Sequence, residues 1–519
     1  MKKIAFILLS LIFSGLNAQT FWTGTSYKGA FPVTDGTPST DWTYGWSNFD
    51  PENTNYPNTT TTLSSNITSN TTLSGVILLQ NKVYVTNNSI LTILPGTIIR
   101  GDYSTQGTLI ITKGSKIIAD GTSVSPIVFT SNEDVGNRAE GDWGGLVILG
   151  QAINNQPGGL ANIEGIAPTS NTEYGGSNDQ DNSGILRYVR IEFAGIPLEP
   201  NKEINGVTFG SVGSQTTVDY VQVSFSGDDS FEWFGGTVNC KHLIAYKGID
   251  DDFDTDFGYR GKVQFGLAVR DNTRYDAPGD SNCFESDNDA TGSSNTPQTT
   301  AIFSNFTIVG PLGDGTQTLP VGEKFEKSFR IRRNSSISVF NTLVTGWEKG
   351  LSIEGSATEA NVTSGTLVFS NNVLSNVPSN CVTAVSSFYS FFSTNQNDST
   401  TTVNDINWVN IFSQNIDARL NSNSVVATGA DFSNSKFGGE VGVSEISNTV
   451  EVDVYPNPTS SILNIKSDGK MNITIYNSYG QLVVNKQSYN LSQIEVSELS
   501  TGIYTLLINN EVSKKILIQ

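Results

Sequence analysis

GTLIITKGSKIIADGTSVSPIVFTS, residues 107–131, fits three short apolar runs into one stretch, with glycine-centred corners between them. A sandwich would use strands of about five or six residues joined by hairpin turns. Runs as brief as these suit a solenoid whose coil turns a corner every few residues. The same texture surrounds the stretch: VYV at 83–85, ILTIL at 90–94, TII at 97–99 and LVIL at 146–149. Long helical patterns are missing. Glycine supplies 50 of the 519 residues and punctuates short β-branched runs, which is an all-β signature.

Internal repetition points the same way. RYVRIEFAG, DYVQVSFSG and KHLIAYKG end at Gly195, Gly227 and Gly248, at unequal intervals. IFSNFTIVG, VFNTLVTG and VFSNNVLSN end at Gly310, Gly346 and Asn376. In the second set Asn305, Asn341 and Asn371 stand at the corner before the final run. Asparagine tolerates left-handed backbone there and can hydrogen-bond its equivalent in the next coil. Coils of variable length with fixed corners predict a right-handed parallel β-helix.

Composition bounds the function. The net charge is −20, from 50 acidic and 30 basic residues, which opposes binding to a phosphate backbone and excludes nucleic acid as a partner. Cations and neutral or basic ligands remain compatible. Cys240, Cys283 and Cys381 allow at most one bridge, and three buried thiols are expected. The opening MKKIAFILLSLIFSGLNAQT has a basic start, an apolar run from Ile4 to Leu16 and a small-residue site ending at Ala18. It reads as a signal peptide over 1–18, too short for a membrane span. No other apolar stretch approaches the length of a bilayer-spanning helix, so the mature chain should lack one.

The expected organisation after the leader is an aromatic-rich N-terminal cap region (19–75), the β-helix (76–430), a linker (431–449) and a C-terminal module (450–519). From Gly101 to about Asn380 the chain resembles the pectate-lyase-type β-helix superfamily. GDWGGLVILGQA (141–152), GDDSFEWFGG (227–236) and DWTYGWSNFDP (41–51) are similar to a group of secreted Bacteroidetes β-helix proteins. The last seventy residues resemble the type A C-terminal sorting domain of the type IX secretion system. The match rests on Tyr455-Pro456-Asn457-Pro458, Tyr479-Gly480, Gly502-Ile503-Tyr504 and Lys514-Lys515. That resemblance implies an Ig-like β-sandwich that addresses the chain to a translocon and sortase at the outer membrane. The protein is then secreted or held at the cell surface.

The functional question is posed by two acidic stretches, FSGDDSFEWFGG (225–236) and YKGIDDDFDTDFG (246–258). Asp228-Asp229-Ser230-Phe231-Glu232 and Asp250-Asp251-Asp252-Phe253-Asp254 align at a constant offset, and Phe284-Glu285-Ser286-Asp287 echoes the second farther on. If that offset is one coil, aligned carboxylates stand roughly 4.8 Å apart. At an effective dielectric of about 20, each such pair repels by about 3 kcal/mol. The remedies are a divalent cation, raised pKa values or basic neighbours such as Lys247, Arg260 and Lys262. Among cations Ca2+ suits an all-oxygen set in a chain with one histidine. The candidate ligands are Asp228, Asp229, Asp250, Asp251, Asp252, Asp254 and Asp256. The bland alternative is aspartates capping turns, with no metal.

Trp233 and Phe234 beside these acids could form a platform on which a glycan stacks, with Arg260, Glu285 and Asp287 as further ligand contacts. Core packing is the competing reading of both aromatics. A catalytic reading also stands: a lyase or hydrolase on an acidic polysaccharide, with Arg260 or Arg270 as base and Arg330 and Arg332 holding a uronate. Asp228-Asp229, Asp254-Thr255-Asp256 and Arg330-Ile331-Arg332 only faintly echo the polygalacturonases, and no Gly-His-Gly element is present. His242 opens a strand and reads as packed. The sequence therefore favours a non-enzymatic cation- or glycan-binding, adhesin-like protein, with the enzyme and a plain structural surface component as alternatives.

Overall fold

The computed structural model describes residues 21–199, 202–277, 279–382, 387–438, 442–443, 453–477, 482–508 and 512–519. The leader, 1–18, and Gly480 lie outside them. The chain divides into two compact units, Met1–Gly442 and Val443–Gln519.

The first unit is a parallel β-helix. Its strands form a 16-stranded sheet that wraps two faces of each coil and a 10-stranded sheet that makes the third. The two-face wrap follows from one bend per coil. Gly184–Glu192, Thr217–Ser224, Asn239–Tyr246, Lys262–Val269 and Ile302–Val309 pair in parallel, and each carries one left-handed residue near its middle. Those residues are Tyr188, Tyr220, His242, Phe265 and Asn305, with φ between +49° and +65°. Stacking holds the bulky ones there: ring centroids are 4.5 Å apart for Tyr188 and Tyr220, 4.2 Å for Tyr220 and His242, and 5.1 Å for His242 and Phe265. Farther along, the corner passes to amides. Asn341 and Asn371 also have positive φ, and Asn371 Nδ2 donates to Asn341 Oδ1 at 2.7 Å. The asparagine corner is as the sequence suggests; the aromatic corner before it is new. His242 is packed in that stack and bonded through Nδ1 to Asp219 at 2.7 Å.

The interior is filled by side chains repeating in register. Phe231, Phe253, Phe284 and Phe329 form a column with centroid separations of 5.6, 5.0 and 4.9 Å, all fully buried. Cys240 and Cys283 are buried free thiols within this core. The side chain of Cys381 is not among the described ones.

The N-terminal region divides differently from the expected cap. Residues 61–73 already form the first coil, as Thr61–Leu63, Thr71–Leu73 and an Ile67 bridge to Val85. Residues 21–56 lie along the side of the helix. Apolar side chains pointing outward there, Phe193, Phe225, Ile244, Tyr246 and Leu267, require cover, and Ala30, Phe31 and Trp46 supply it. Buried amides fix the strap: Gln264 exchanges two hydrogen bonds with the Thr23 backbone and Gln222 two with Asn48. Residues 403–426 extend the same cover with Trp408, Ile411, Leu420 and Val426. The expected linker also starts as packed chain. Phe437 is 3% exposed and meets Trp22 edge-on at 5.0 Å, and Asp431 N donates to Asn341 Oδ1.

The second unit is a five-stranded antiparallel sheet. Ile462–Tyr476 pairs along its length with Leu482–Glu495, while its other edge passes from Asp453–Tyr455 to Gly502–Ile508. The partner on that edge is exchanged midway along the strand, and Ile465, Ile473, Leu506 and Ile516 are buried in the core of the unit. Asn457, in the exposed Tyr455–Pro458 turn, clasps the last strand by donating to Lys515 O and accepting from Leu517 N. Tyr504 is buried with its hydroxyl donating to Ser500 O, while Lys514 and Lys515 are exposed.

Because each ring of the phenylalanine column touches the coils above and below, truncation leaves a cavity that neither neighbour can fill. Phe284→Ala should cost about 3–5 kcal/mol, measured by denaturant unfolding of the helix unit. A loss under about 1 kcal/mol would mean the column is not a packed stack.

Candidate functional site: the carboxylate column

The third face carries the acidic stretches. Phe231–Phe234 pairs with Phe253–Asp256, which pairs with Phe284–Ser286, with Glu232 opposite Asp254 and Asp254 opposite Glu285. Strand alternation sends Phe231, Phe253 and Phe284 inward and therefore Glu232, Asp254 and Glu285 outward, one above the next. Arg330 follows Glu285 in the same row. The turns entering these strands add Asp228, Asp229, Asp250 and Asp251. Asp251 N donates to Asp229 Oδ1 at 2.9 Å and Asn282 N to Asp251 Oδ1 at 2.6 Å. Asp229 and Asp251 thus also accept from backbone N–H groups of the following coil.

Three triads overlap. One oxygen each from Asp228, Asp229 and Asp250 lie within 4.8 Å of one another, as do those of Asp229, Glu232 and Asp254, and those of Asp251, Asp254 and Glu285. Asp229 and Asp254 each belong to two. Two oxygens on one Ca2+ at about 2.3–2.6 Å are at most about 5 Å apart, so each triad has the span of a single ion's ligands. Asp254 Oδ1 is buried and has no hydrogen-bond partner among the described residues. Asn205, 4% exposed, donates to Glu232 and Thr208.

Basic residues neutralise only part of the column. Arg332 pairs with Glu285 and Asp287, Arg333 with Asp287, and Arg330 with Glu285, Asp280 and Glu354. Toward the other end the dominant neighbours are like charges. Burial pushes the carboxyls of Asp229, Glu232, Asp250 and Asp254 well above the usual range, and neighbouring carboxylates push them further: Asp228 for the first two, Asp251 for Asp250 and Glu232 for Asp254. Burial also raises Glu285 to about 8, with Asp251 adding to the rise and Arg332 opposing it.

Several expected site residues are placed elsewhere. Asp252 points away from the column into a fully buried ion pair with Arg270 at 2.9 Å; burial lifts it to about 6 and Arg270 limits the rise. Asp256 belongs to none of the three triads and accepts from Phe257 N; burial raises it to about 8. Trp233 is no sugar platform. Two positions from Phe231, it shares the inward side, is 0% exposed and stacks on Tyr259 at 5.3 Å. Phe234 faces outward but is covered by Tyr174 and Phe257. Arg260 is committed to Asp179 through two 2.7 Å hydrogen bonds, and Lys247 to Asp271. The arginines that could have gripped a uronate, Arg330 and Arg332, are those paired above.

Three residues of the site lie outside the metal ligands read from sequence: Glu285, named there only as a further ligand contact, Glu232 and Asn205. Glu232 is legible in hindsight from its place between inward Phe231 and Trp233 and its alignment with Asp254. Asn205 carries no sequence signal, since it arrives from the preceding coil.

A family model described as a pectate-lyase-like beta helix domain matches residues 62–413. Residues 453–519 match a secretion system C-terminal sorting domain. That match indicates export by type IX secretion to the cell surface or extracellular space. No helix among the described residues is long and apolar enough to cross a membrane. Among solved structures, the crystal structure of Dettilon tailspike protein is similar at 10% identity, covering 84% of this chain and 74% of that one, with a TM-score of 0.24. No curated protein matches the chain.

The raised carboxyls fix a pH dependence for protein held in chelator. A carboxyl whose folded pKa exceeds its unfolded value binds more protons when folded. Its stabilisation is complete below the unfolded pKa and is lost as pH rises through the folded one. For Glu285 the window runs from 4.5 to about 8. Melting temperature in chelator should therefore fall across that window, and thermal scans showing a rise there would contradict the clustering.

Proposed function

The chain belongs to the pectate-lyase-like β-helix family, and from that premise we propose that it is a non-catalytic surface protein holding a divalent cation, Ca2+ foremost, on the carboxylate column of its third face. The observation that carries this reading is the linked set of triads within 4.8 Å, with the buried, unpartnered oxygen of Asp254 among the described residues and Asp254 shared between two triads. Each close pair of carboxylates repels by about 3 kcal/mol when ionised. A cation turns that repulsion into attraction, and hard oxygen donors without thiolate or imidazole select Ca2+ or Mg2+ over transition metals. Affinity of about 10⁻⁴–10⁻³ M would suit an extracellular module. Because burial and neighbouring carboxylates raise these carboxyls, a cation must displace the protons they retain, and binding should release protons.

Calorimetric titration with Ca2+ near neutral pH should give saturable heat that varies with the buffer's ionisation enthalpy. At about 100-fold excess over Kd the gain is roughly 2.7 kcal/mol, a rise of several degrees in melting temperature. Asp254→Asn should gain nothing from Ca2+, and in chelator it should melt higher than the natural chain only at the alkaline end, where the natural carboxyls are ionised and repel. Absence of heat and of any thermal shift at millimolar Ca2+ ends the reading.

The catalytic alternative is supported by the presence of carboxyls with raised pKa values and weakened by the ion pairing of Arg330 and Arg332. New reducing ends or unsaturated uronates formed from polygalacturonate would replace the non-catalytic reading with that one. Export is tested separately. A chain ending before residue 450 should stay inside the outer membrane of its host, as read by cell fractionation, whereas the full chain reaches the exterior.

A further inference from the structure

The glycan platform expected at Trp233 is absent from the acidic face, but a different part of the molecule has the chemistry of one. Along the corner that ends the second face, Tyr246, Val269, Val309, Thr345 and Ser375 follow one another in register. Two cavities lie over this row. The larger, about 720 Å³, is lined by Asn376, Thr400, Thr402, Asn404, Trp408 and Phe412 among others, and reaches Ser375. The smaller, about 320 Å³, is lined by Tyr246, Val269, Val309 and Gln317 and meets the first at Asp314, Ile411 and Phe412. Five rungs at about 4.8 Å give the groove a length of roughly 19 Å, enough for several sugar rings in a line.

Phe412 stands where the two cavities join. Its ring is 43% exposed, yet it is fixed edge-on against Trp408 with centroids 5.8 Å apart. An exposed aromatic held in one orientation between two polar hollows presents a flat apolar surface to the C–H face of a pyranose. The hydroxyls and amides around it can both donate and accept, as sugar hydroxyls require. Two polar atoms from residues lining the larger hollow, Trp408 Nε1 and Ser375 Oγ, are buried with no hydrogen-bond partner among the described residues. Trp408 is 8% exposed and Ser375 fully buried.

Charge specifies the ligand further. Among the described residues, Asp314 is the single ionisable one lining the larger hollow, and its carboxylate accepts from Thr316 N and Oγ. In the smaller hollow Lys247 is paired with Asp271 and Arg270 with Asp252. Among the described residues the groove thus has no unpaired cation to attract a polyanion, in a chain whose net charge of −20 repels one. We propose that the groove on either side of Phe412 is a binding site for an uncharged linear oligosaccharide.

The test uses the full chain with chelator present. The groove shares no residue with the carboxylate column, so failure here and failure of the cation reading are told apart. Cellohexaose, xylohexaose, laminarihexaose and mannohexaose are titrated calorimetrically, with hexagalacturonate as the charged probe. At least one neutral hexasaccharide should bind, and hexagalacturonate should not. Phe412→Ala should weaken that binding about tenfold with an unchanged melting temperature, because the ring is largely outside the core. The conservative Phe412→Tyr should retain it. No binding by any neutral probe at millimolar concentration, equal binding by Phe412→Ala, or preference for hexagalacturonate would each overturn the proposal.

Discussion

Parallel hydrogen bonding between coils places each residue directly above its counterpart, about 4.8 Å away. That spacing lets aromatic rings stack and amide side chains reach one another, so like residues in register reinforce one another. The phenylalanine column is the apolar form of this rule, and the Asn341–Asn371 pair is the polar form. The aromatic corner is the costliest form, because Tyr188, Tyr220 and Phe265 adopt left-handed backbone that bulky side chains disfavour. Stacking between successive coils supplies what each residue's own backbone preference opposes.

The same rule applied to carboxylates produces a conflict. Glu232, Asp254 and Glu285 are stacked by the backbone pairing that stacks their phenylalanine neighbours, and no local rearrangement can separate them without breaking the column. The chain resolves the conflict at one end with Arg330, Arg332 and Arg333, and sequesters Asp252 in its own pair with Arg270. Around Asp229 and Asp254 the charges that weigh most are other carboxylates. Burial there raises the cost of charge and strengthens any cation's attraction, since both scale inversely with the local dielectric.

How far the sequence discloses this depends on whether a feature repeats. The register of the acidic stretches is legible because phenylalanine and carboxylate recur together, as Phe231-Glu232, Phe253-Asp254 and Phe284-Glu285, and strand alternation then assigns their sides. The asparagine corners are legible because asparagine suits positive φ by itself. The aromatic corner is not, since Tyr188, Tyr220 and Phe265 have no such preference in isolation. Trp233 suggests exposure by its acidic neighbours, although alternation with Phe231 already places it inside. Asp252 sits in a run of three aspartates within a turn, where no period distinguishes the residue that meets Arg270. Residues 21–56 and 431–437 depart from their expected roles for one reason: an aromatic-rich segment announces that it packs, but not on which surface.

Those covering segments decide where chemistry is possible. A solenoid with a filled interior can act only through its outside, and much of this outside is itself a second core. The strap of residues 21–56, joined by 403–437, seals apolar side chains on the bent sheet, and Ile163 and Tyr174 cover the early rungs of the third face. Where the outward residues become carboxylates they are buried chiefly among one another, Asn205 and arginines, because an apolar lid over ionised groups would raise their energy further. The cover also changes character at Phe412, where the covering segment turns its own ring outward beside threonine and asparagine side chains. The segments that complete the fold therefore also set the boundaries of the surfaces open to a ligand, and both proposed sites lie at such a boundary.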